Sequence, residues 1–591
     1  MAGSQLLGFV DGPGGCGKTF TFNTILRGLR ARGKVVLAVA TTGIAALQLD
    51  GGKTVHSALK VPIDPNGGSR GIFAIPIKKN SALGQLILHH IDVLLWDEAS
   101  MANVDLFDSL SDTFCKLRED DRPFGGISVL LGGDFRQCLP VIRGGTRAQQ
   151  AAASILNSAL FKHFSVFHLL TNVRVEQCKL RDPARSNQLA AWAEQLLRIG
   201  EGDFAFGTCD RGNEFESVLP SLVHMRPVSS LVDVHSMISS VFGELSELSS
   251  QGPDALAADE AMHSAVLCPL HVSVDFINKC CLDVWQGDVH RAQGVDAYDN
   301  GDDAMVVTLE QLNSKTPGGS PPQILELKLY MPLVLLRNMK NGLMNGTRLL
   351  LLGIQRHVLQ CRVLTGSKLG EEVYIPRFIF KHEGSDQPLN WSRRQFPVKP
   401  CWAMTITKSQ AQTLTKVAVC LVQVQSDDKD GITVDPADAF SHGQIYVALS
   451  RCGDNDCTCI YTTAERFQAK TIKNVVYPEV LFHWHPEVSH SHTHNSVTQT
   501  SGYLEQTTPT DVLEDDLMYD ARAHLALGPT MTSTHIDMDV PWHGYAFDNE
   551  GFTSWDGQLG SIDDILMNCA DAQLSSFDIE DIMNHEMFDE T

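Results

Sequence analysis

Residues 12–19 read GPGGCGKT, and no other stretch limits the fold of this chain so tightly. The pattern G-x-x-x-x-G-K-[ST] requires a strand before it and a helix after it, because the N–H groups of the turn and the helix N-terminus together form a pocket for phosphate. Both flanks comply. The apolar run LLGFVDG leads into Gly12, and from Lys18 to Arg32 the apolar residues Phe22, Ile25 and Leu29 recur at helical spacing. Gly12, Gly14, Gly15 and Gly17 allow positive φ and close approach of an anion. Lys18 reaches the terminal phosphates of ATP, and Thr19 offers its hydroxyl to Mg²⁺.

The next segments continue in βαβ order, the mark of a parallel sheet covered on both faces. KVVLAVA (34–40) is a β-branched apolar run, and IDVLLW (91–96) is a second one that ends in Asp97-Glu98. Strand ends are where parallel sheets collect ligands, so Asp97 is expected in the Mg²⁺ shell and Glu98 as the group that polarises the attacking water. An acidic pair after a strand more often just starts a helix; roughly eighty residues after a phosphate loop it reads as catalytic. In ISVLLGGDFRQCLPV (127–141), Gln137 is placed to reach a γ-phosphate or its water. Asp134 and Arg136 fit a surface loop equally well. Arg174 stands just past another strand, in VFHLLTNVR.

With 591 residues the chain is too long for one core, and three to four domains are expected. It lacks an apolar run near eighteen residues, so no membrane partner is expected, and no export or organelle signal is visible. The fifteen cysteines are scattered, and Cys452, Cys457 and Cys459 lack the paired spacing of a zinc site. A reducing compartment suits them. The net charge of −23 argues at first against nucleic acid. Its distribution reverses that inference: residues 485–591 hold 21 Asp/Glu and one basic residue, Arg522, leaving 49 acidic against 46 basic residues before them. A near-neutral body can carry a basic channel.

GPGGCGKT, TTGIAA, WDEASM, GGDFRQCLPV and LTNVR, in this order, resemble the Pif-type DNA helicases of superfamily one (the RecD-like branch), particularly their Helitron-like eukaryotic subgroup. LCPLHVSVDFIN (267–278), LLRNMKNGLMNGTRL (335–349), QFPVKPCWAMTITKSQAQTL (395–414) and SHGQIYVALSR (441–451) continue the likeness over residues 6 to 465. The resemblance implies an α/β chain of two RecA-like P-loop lobes: a first lobe over 1–200 with a small insert at about 60–85, a variable linker over 201–260, and a second lobe over 261–484 carrying a β-barrel insert at about 325–395. It also implies that Arg174 and Arg451 are arginine fingers. The positions matching the family's DNA-contacting motifs are Thr42, Gly43, Thr54, His56, Thr405, Lys408, Ser409 and Gln410.

The function expected from this likeness is ATP-dependent, 5′-to-3′ unwinding of forked DNA with single-stranded tails. The setting would be repair, recombination or telomere maintenance, or a Helitron transposon, in the nucleus or, as the alternative, the mitochondrion. A second reading is a degenerate helicase that binds nucleic acid or a partner without turnover. Two departures favour that reading. Ala411 stands where the family usually has glycine, and only eleven residues precede Gly12, where relatives place an adenine-recognising glutamine. Gln5 is too close to serve, so the adenine end is expected to be incomplete and the chain N-terminally truncated. The tail, 485–591, is expected to be disordered, with its closing acidic-apolar run fitted to a groove on a protein partner.

Overall fold

A computed structural model describes residues 5–484 except 62–74, 76, 143, 204, 209–214, 219–220, 299–318, 340–341, 383–390 and 427–431. The acidic tail and most of the expected insert at 60–85 lie outside the described residues.

The first lobe is one parallel sheet. Its strands are β1 (Leu7–Asp11), β2 (Val36–Ala40), β3 (Lys53–Thr54), β4 (Val93–Asp97), β5 (Ser128–Gly133) and β6 (Ser165–His168), in the order β3-β2-β4-β5-β1-β6. Every residue of β2 is buried, as a strand covered on both faces requires. Helix α1 (Lys18–Ala31) covers one face with Phe22, Leu26 and Leu29. The register pairs Asp11 with Gly133 and His168, and Ala40 with Asp97, so the C-terminal ends of β4, β5, β1 and β6 finish at one edge. That alignment gathers the motif residues into one place.

The second lobe is also parallel. Its strands lie in the order Ala403–Thr405, Ala265–Cys268, Val417–Cys420, Thr458–Thr462, His224–Pro227. Three boundaries differ from expectation. The helix Pro183–Glu201, assigned above to the first lobe, buries Trp192, Leu196 and Ile199 in the same core as Leu267, Ile445 and Ile460 of the second. Its apolar stripe was legible, but a stripe does not say which core it joins. The stretch 201–260, read as a linker, supplies the edge strand His224–Pro227 and the helix Leu231–Phe242, whose Val234, Met237 and Ile238 are buried. The β insert begins at His290 and runs to Pro400, wider than 325–395, and its strands pair antiparallel in sheets of five, three and two.

The lobes meet through buried polar contacts. The Tyr446 hydroxyl donates to Asp134 at 2.7 Å, and Asp134 also faces Arg136, which pairs with Glu201. His442 is fully buried between the lobes. The Tyr477 N–H donates to its Nδ1 at 2.9 Å, so the ring proton resides on Nε2, which donates to the Phe135 carbonyl at 2.8 Å. Burial lowers the His442 pKa from 6.5 to about 4, against weaker opposing effects of the Phe135 carbonyl, Glu479 and Asp134, with Arg147 assisting. A depressed histidine pKa favours the native state while the ring is neutral. This contribution, about 3 kcal/mol, is therefore complete above about pH 6.5, shrinks as pH falls and is gone below about pH 4. Thermal melts of wild type between pH 7 and 4.5 should fall more steeply than those of His442→Gln, whose amide keeps both hydrogen bonds and does not titrate. Equal slopes would show that His442 contributes nothing to the acid limb.

Candidate active site in the cleft between the lobes

A cavity of about 290 Å³ opens between the lobes, lined on the first-lobe side by Gly12, Gly14, Gly15, Gly17, Lys18, Thr19, Glu98, Gln137 and Arg174. Ala411, Gln412, Thr413, Ser450 and Arg451 line the other side. Gly15 (φ 94°) and Gly17 (φ 77°) take left-handed backbone, which turns consecutive N–H groups inward ahead of α1. The residues fit a nucleoside triphosphate at its phosphate end.

Lys18 Nζ lies 3.4 Å from Asp97 Oδ1 and 3.3 Å from Glu98 Oε1. Burial opposes the lysine charge, but Asp97 and then Glu98 outweigh it and raise its pKa. Glu98 is shifted up by burial, which the attraction of Lys18 only partly offsets. Its Oε2 is buried and has no hydrogen-bond partner, an orphaned acceptor inside the cleft. Asp97 accepts the Glu98 N–H at 2.8 Å. The Thr19 hydroxyl and the Asp97 carboxylate are the hard oxygen donors that Mg²⁺ takes, so the donor set fits that ion.

Glu98 also carries backbone strain. Its φ of 52° is left-handed, which costs a non-glycine residue about 1–2 kcal/mol, and the geometry is held from behind. The Thr41 hydroxyl donates to the Glu98 carbonyl at 2.7 Å and accepts from Trp96 Nε1 at 3.0 Å, while the Thr41 N–H donates to the Asp97 carbonyl. Thr41 escaped the sequence reading because a threonine beside the better-marked Thr42 has no spacing signal of its own.

Both arginines face the cavity. Arg174 follows Asn172, whose side chain caps the helix Val173–Lys179, and it donates across the cleft to the Thr413 hydroxyl at 3.1 Å. Arg451 ends the buried helix Gln444–Ser450 and donates to the Val447 carbonyl at 2.9 Å and the Ser450 hydroxyl at 2.8 Å. Burial pushes its guanidinium below the usual arginine value, and the field of Glu98 is the largest influence opposing that. Gln137 is buried and meets Gln410 across the cleft at 3.5 Å.

The expected nucleic-acid residues divide. Lys408 is exposed, and partial desolvation together with nearby Lys399 lowers its pKa; His271 is lowered by burial and then by Lys408 and Lys399. Lys399 and Lys408 form a cationic patch suited to phosphate, beside the His271 ring; His271 and Lys399 lie inside the stretches 267–278 and 395–414 but were not singled out, because neither has a spacing signal of its own. His56 is half-buried, and burial lowers its pKa; Thr405 is nearly buried at its strand end. Thr42 and Thr54 use their hydroxyls as helix caps, accepting from the N–H of Ala45 and Ser57. Three further positions are held by packing. A side chain on Gly43 would come within 2.6 Å of the Asn345 carbonyl, so Gly43 serves close packing of helix α2 (Gly43–Gln48) against the β insert. The Ser409 hydroxyl donates to the Ile406 carbonyl at 2.7 Å, and Gln410 is 1 % exposed and faces Gln137. Both side chains are buried, Ser409 within its own turn and Gln410 against the first lobe.

Ala411 takes φ 61°, the left-handed conformation that favours glycine. Its methyl packs against the first-lobe cluster of Phe22, Ala45, Ala46 and Leu49, which offsets some of the strain. Gln5 lies at the opposite end of β1 from the phosphate loop, and its amide donates to the Pro123 and Ile127 carbonyls.

Residues 2–208 match the model of the family described as PIF1-like helicase. Over these residues the chain is similar to PIF1-like helicases. It is 27% identical over 450 residues to the human ATP-dependent DNA helicase PIF1, a match covering 75% of this chain and 56% of that protein. It is 33% identical over 208 residues to the Trypanosoma brucei ATP-dependent DNA helicase PIF3, covering 34% of this chain and 22% of that protein. The chain thus spans about half the length of the full-length PIF1 relatives it matches. Among solved structures, Pif1 helicase from Candida albicans is similar at 22% identity and a TM-score of 0.53, covering 81% of this chain and 95% of that one. Bacteroides Pif1 in complex with ADP-AlF3 and ssDNA is similar at 20% identity and a TM-score of 0.53, covering 83% and 95%. These likenesses establish the fold as two RecA-like lobes.

Proposed function

We propose that the chain is an ATP-dependent DNA helicase that couples ATP hydrolysis to translocation along a single strand and to unwinding at forks, 5′ to 3′. The observation that carries this is the cavity in which Lys18 and Glu98 of one lobe face Arg451 of the other. Phosphoryl transfer needs positioning and charge stabilisation more than covalent chemistry, and here the charge is complete only when the lobes meet. Mg²⁺ would supply charge neutralisation between Thr19 and Asp97. Lys18 holds the terminal phosphates, Glu98 orients and deprotonates water, Gln137 lies beside that water, and Arg174 and Arg451 oppose the charge that develops. Lobe closure on each turnover becomes a step along the strand. The patch of Lys399 and Lys408, beside His271, would hold its phosphates.

Support for the DNA substrate comes from similar structures of Bacteroides Pif1, which were solved bound to ssDNA. We place the activity in the nucleus, in repair, recombination or telomere maintenance. Wild-type ATPase should be stimulated by single-stranded DNA, and forks with a 5′ tail should be unwound in preference to forks with a 3′ tail. Lys18→Ala should lose both activities, and ATPase that survives Lys18→Ala would overturn the proposal. The strained Ala411 favours the second reading, a nucleic-acid binder without turnover; its signature is DNA binding with no hydrolysis by the wild-type protein.

A further inference from the structure

Helix α2 lies between the nucleotide cavity and the second lobe, and its last residue touches both. The amide Nε2 of Gln48 donates to the Ala411 carbonyl at 2.6 Å. A carbonyl oxygen only accepts, so this bond fixes which end of the amide points where, and Oε1 is left facing the Thr19 hydroxyl at 3.5 Å. The Thr19 hydroxyl must then be the donor. A hydroxyl that gives a lone pair to Mg²⁺ still has its proton to donate, so metal binding and the contact with Gln48 reinforce each other.

Gln48 is not free to follow either neighbour alone. Asn23 of α1 donates to its backbone carbonyl at 2.8 Å, Gly43 at the start of the helix is pressed against Asn345, and Leu47 lies beside Gly366 of the β insert. On the far side, Ala411 is joined to this helix twice, by its carbonyl to Gln48 and by its methyl to the cluster containing Ala45 and Ala46. The loop that carries Ala411 also carries Lys408, Gln410 and Thr413, which face the phosphate patch, Gln137 and Arg174.

Resting on the reading of the cavity as a Mg²⁺-nucleotide site, we infer that Gln48 is a positioning residue that transmits occupancy of Thr19 to the second-lobe loop 407–415. Mg²⁺-nucleotide orders the Thr19 hydroxyl, the hydroxyl fixes the Gln48 amide, and the amide holds Ala411. The loop is then set for the strand and for both arginines only while the first lobe is loaded.

The test is amide hydrogen exchange of the full chain with and without Mg²⁺ and a non-hydrolysable ATP analogue. In wild type, amides of 12–19 and of 407–415 should both gain protection, the loop by roughly fivefold, as one net hydrogen bond gives. Gln48→Leu should keep the gain at 12–19 and lose it at 407–415. Gln48→Glu, which can accept from Thr19 but cannot donate to Ala411, should lose it as well; Gln48 is exposed, so neither change threatens folding. Loop protection that persists in Gln48→Glu, or that is absent in wild type while 12–19 is protected, overturns the inference. Absence of protection at 12–19 in wild type overturns the nucleotide site itself.

Discussion

Glu98→Gln is expected to lower DNA-stimulated ATP turnover by about 10²–10⁴-fold, the range that a positioned general base contributes. The substitution leaves the strained backbone, the Thr41 contacts and the Lys18 pairing distance in place, because Gln fills the same volume and its oxygen can still accept from Lys18. It removes the carboxylate whose second oxygen is buried without a partner in the cleft. Nucleotide affinity, measured with a fluorescent ADP, should therefore change by only a few-fold while turnover collapses. Lys18→Ala should instead lose affinity along with turnover, since it deletes the cation that meets the phosphates. A Glu98→Gln protein with more than about a tenth of wild-type turnover would remove Glu98 from the role of base.

Arg451→Ala should cost about 10³–10⁵-fold in turnover, the magnitude typical of an arginine finger. Because the guanidinium is buried and held by Val447 and Ser450, the Ala variant also empties a packed site. Arg451→Lys separates the two effects. It retains charge and most of the volume but cannot present a planar fork, so it should keep wild-type thermal stability and regain little turnover. Recovery to within about tenfold of wild type by lysine would mean that Arg451 supplies charge to the cleft without a specific contact.

The phosphate end of the cleft was readable because its chemistry forces a local pattern. Gly15 and Gly17 must be glycine at their φ, Lys18 and Thr19 must follow at the start of a helix, and Asp97 must end an apolar strand. The contacts that join one lobe to the other leave no such pattern. Gln48 is a polar residue in ordinary surroundings until the fold brings Ala411 to it, as is Thr41, within the first lobe, until Glu98 reaches it. Ser409 and Gln410 have the composition of a surface loop, yet both are buried, and Gln410 meets Gln137 of the first lobe. The insert's first strand, His290–Gln293, is short and mostly exposed, so its start carried no apolar signal. Ala411 stood out as a departure from the family's usual glycine, and the fold imposes φ 61° there, the left-handed conformation that favours glycine.

The chain crosses the cleft twice. It leaves the first lobe before Pro183–Glu201, where Arg185 pairs with Asp454 and Asp456. It returns after Thr471–Asn474, so that Tyr477 and Val480 enter the first-lobe core and Glu479 pairs with Arg147. Two crossings act like the two pins of a door: they leave the lobes one axis of rotation and suppress twist and slide. In the proposed motor the stroke is set by the distance of the bound strand from the hinge line. The last described helix, Pro478–Trp484, packs on the nucleotide-binding leaf and rides with it rather than with the leaf that swings.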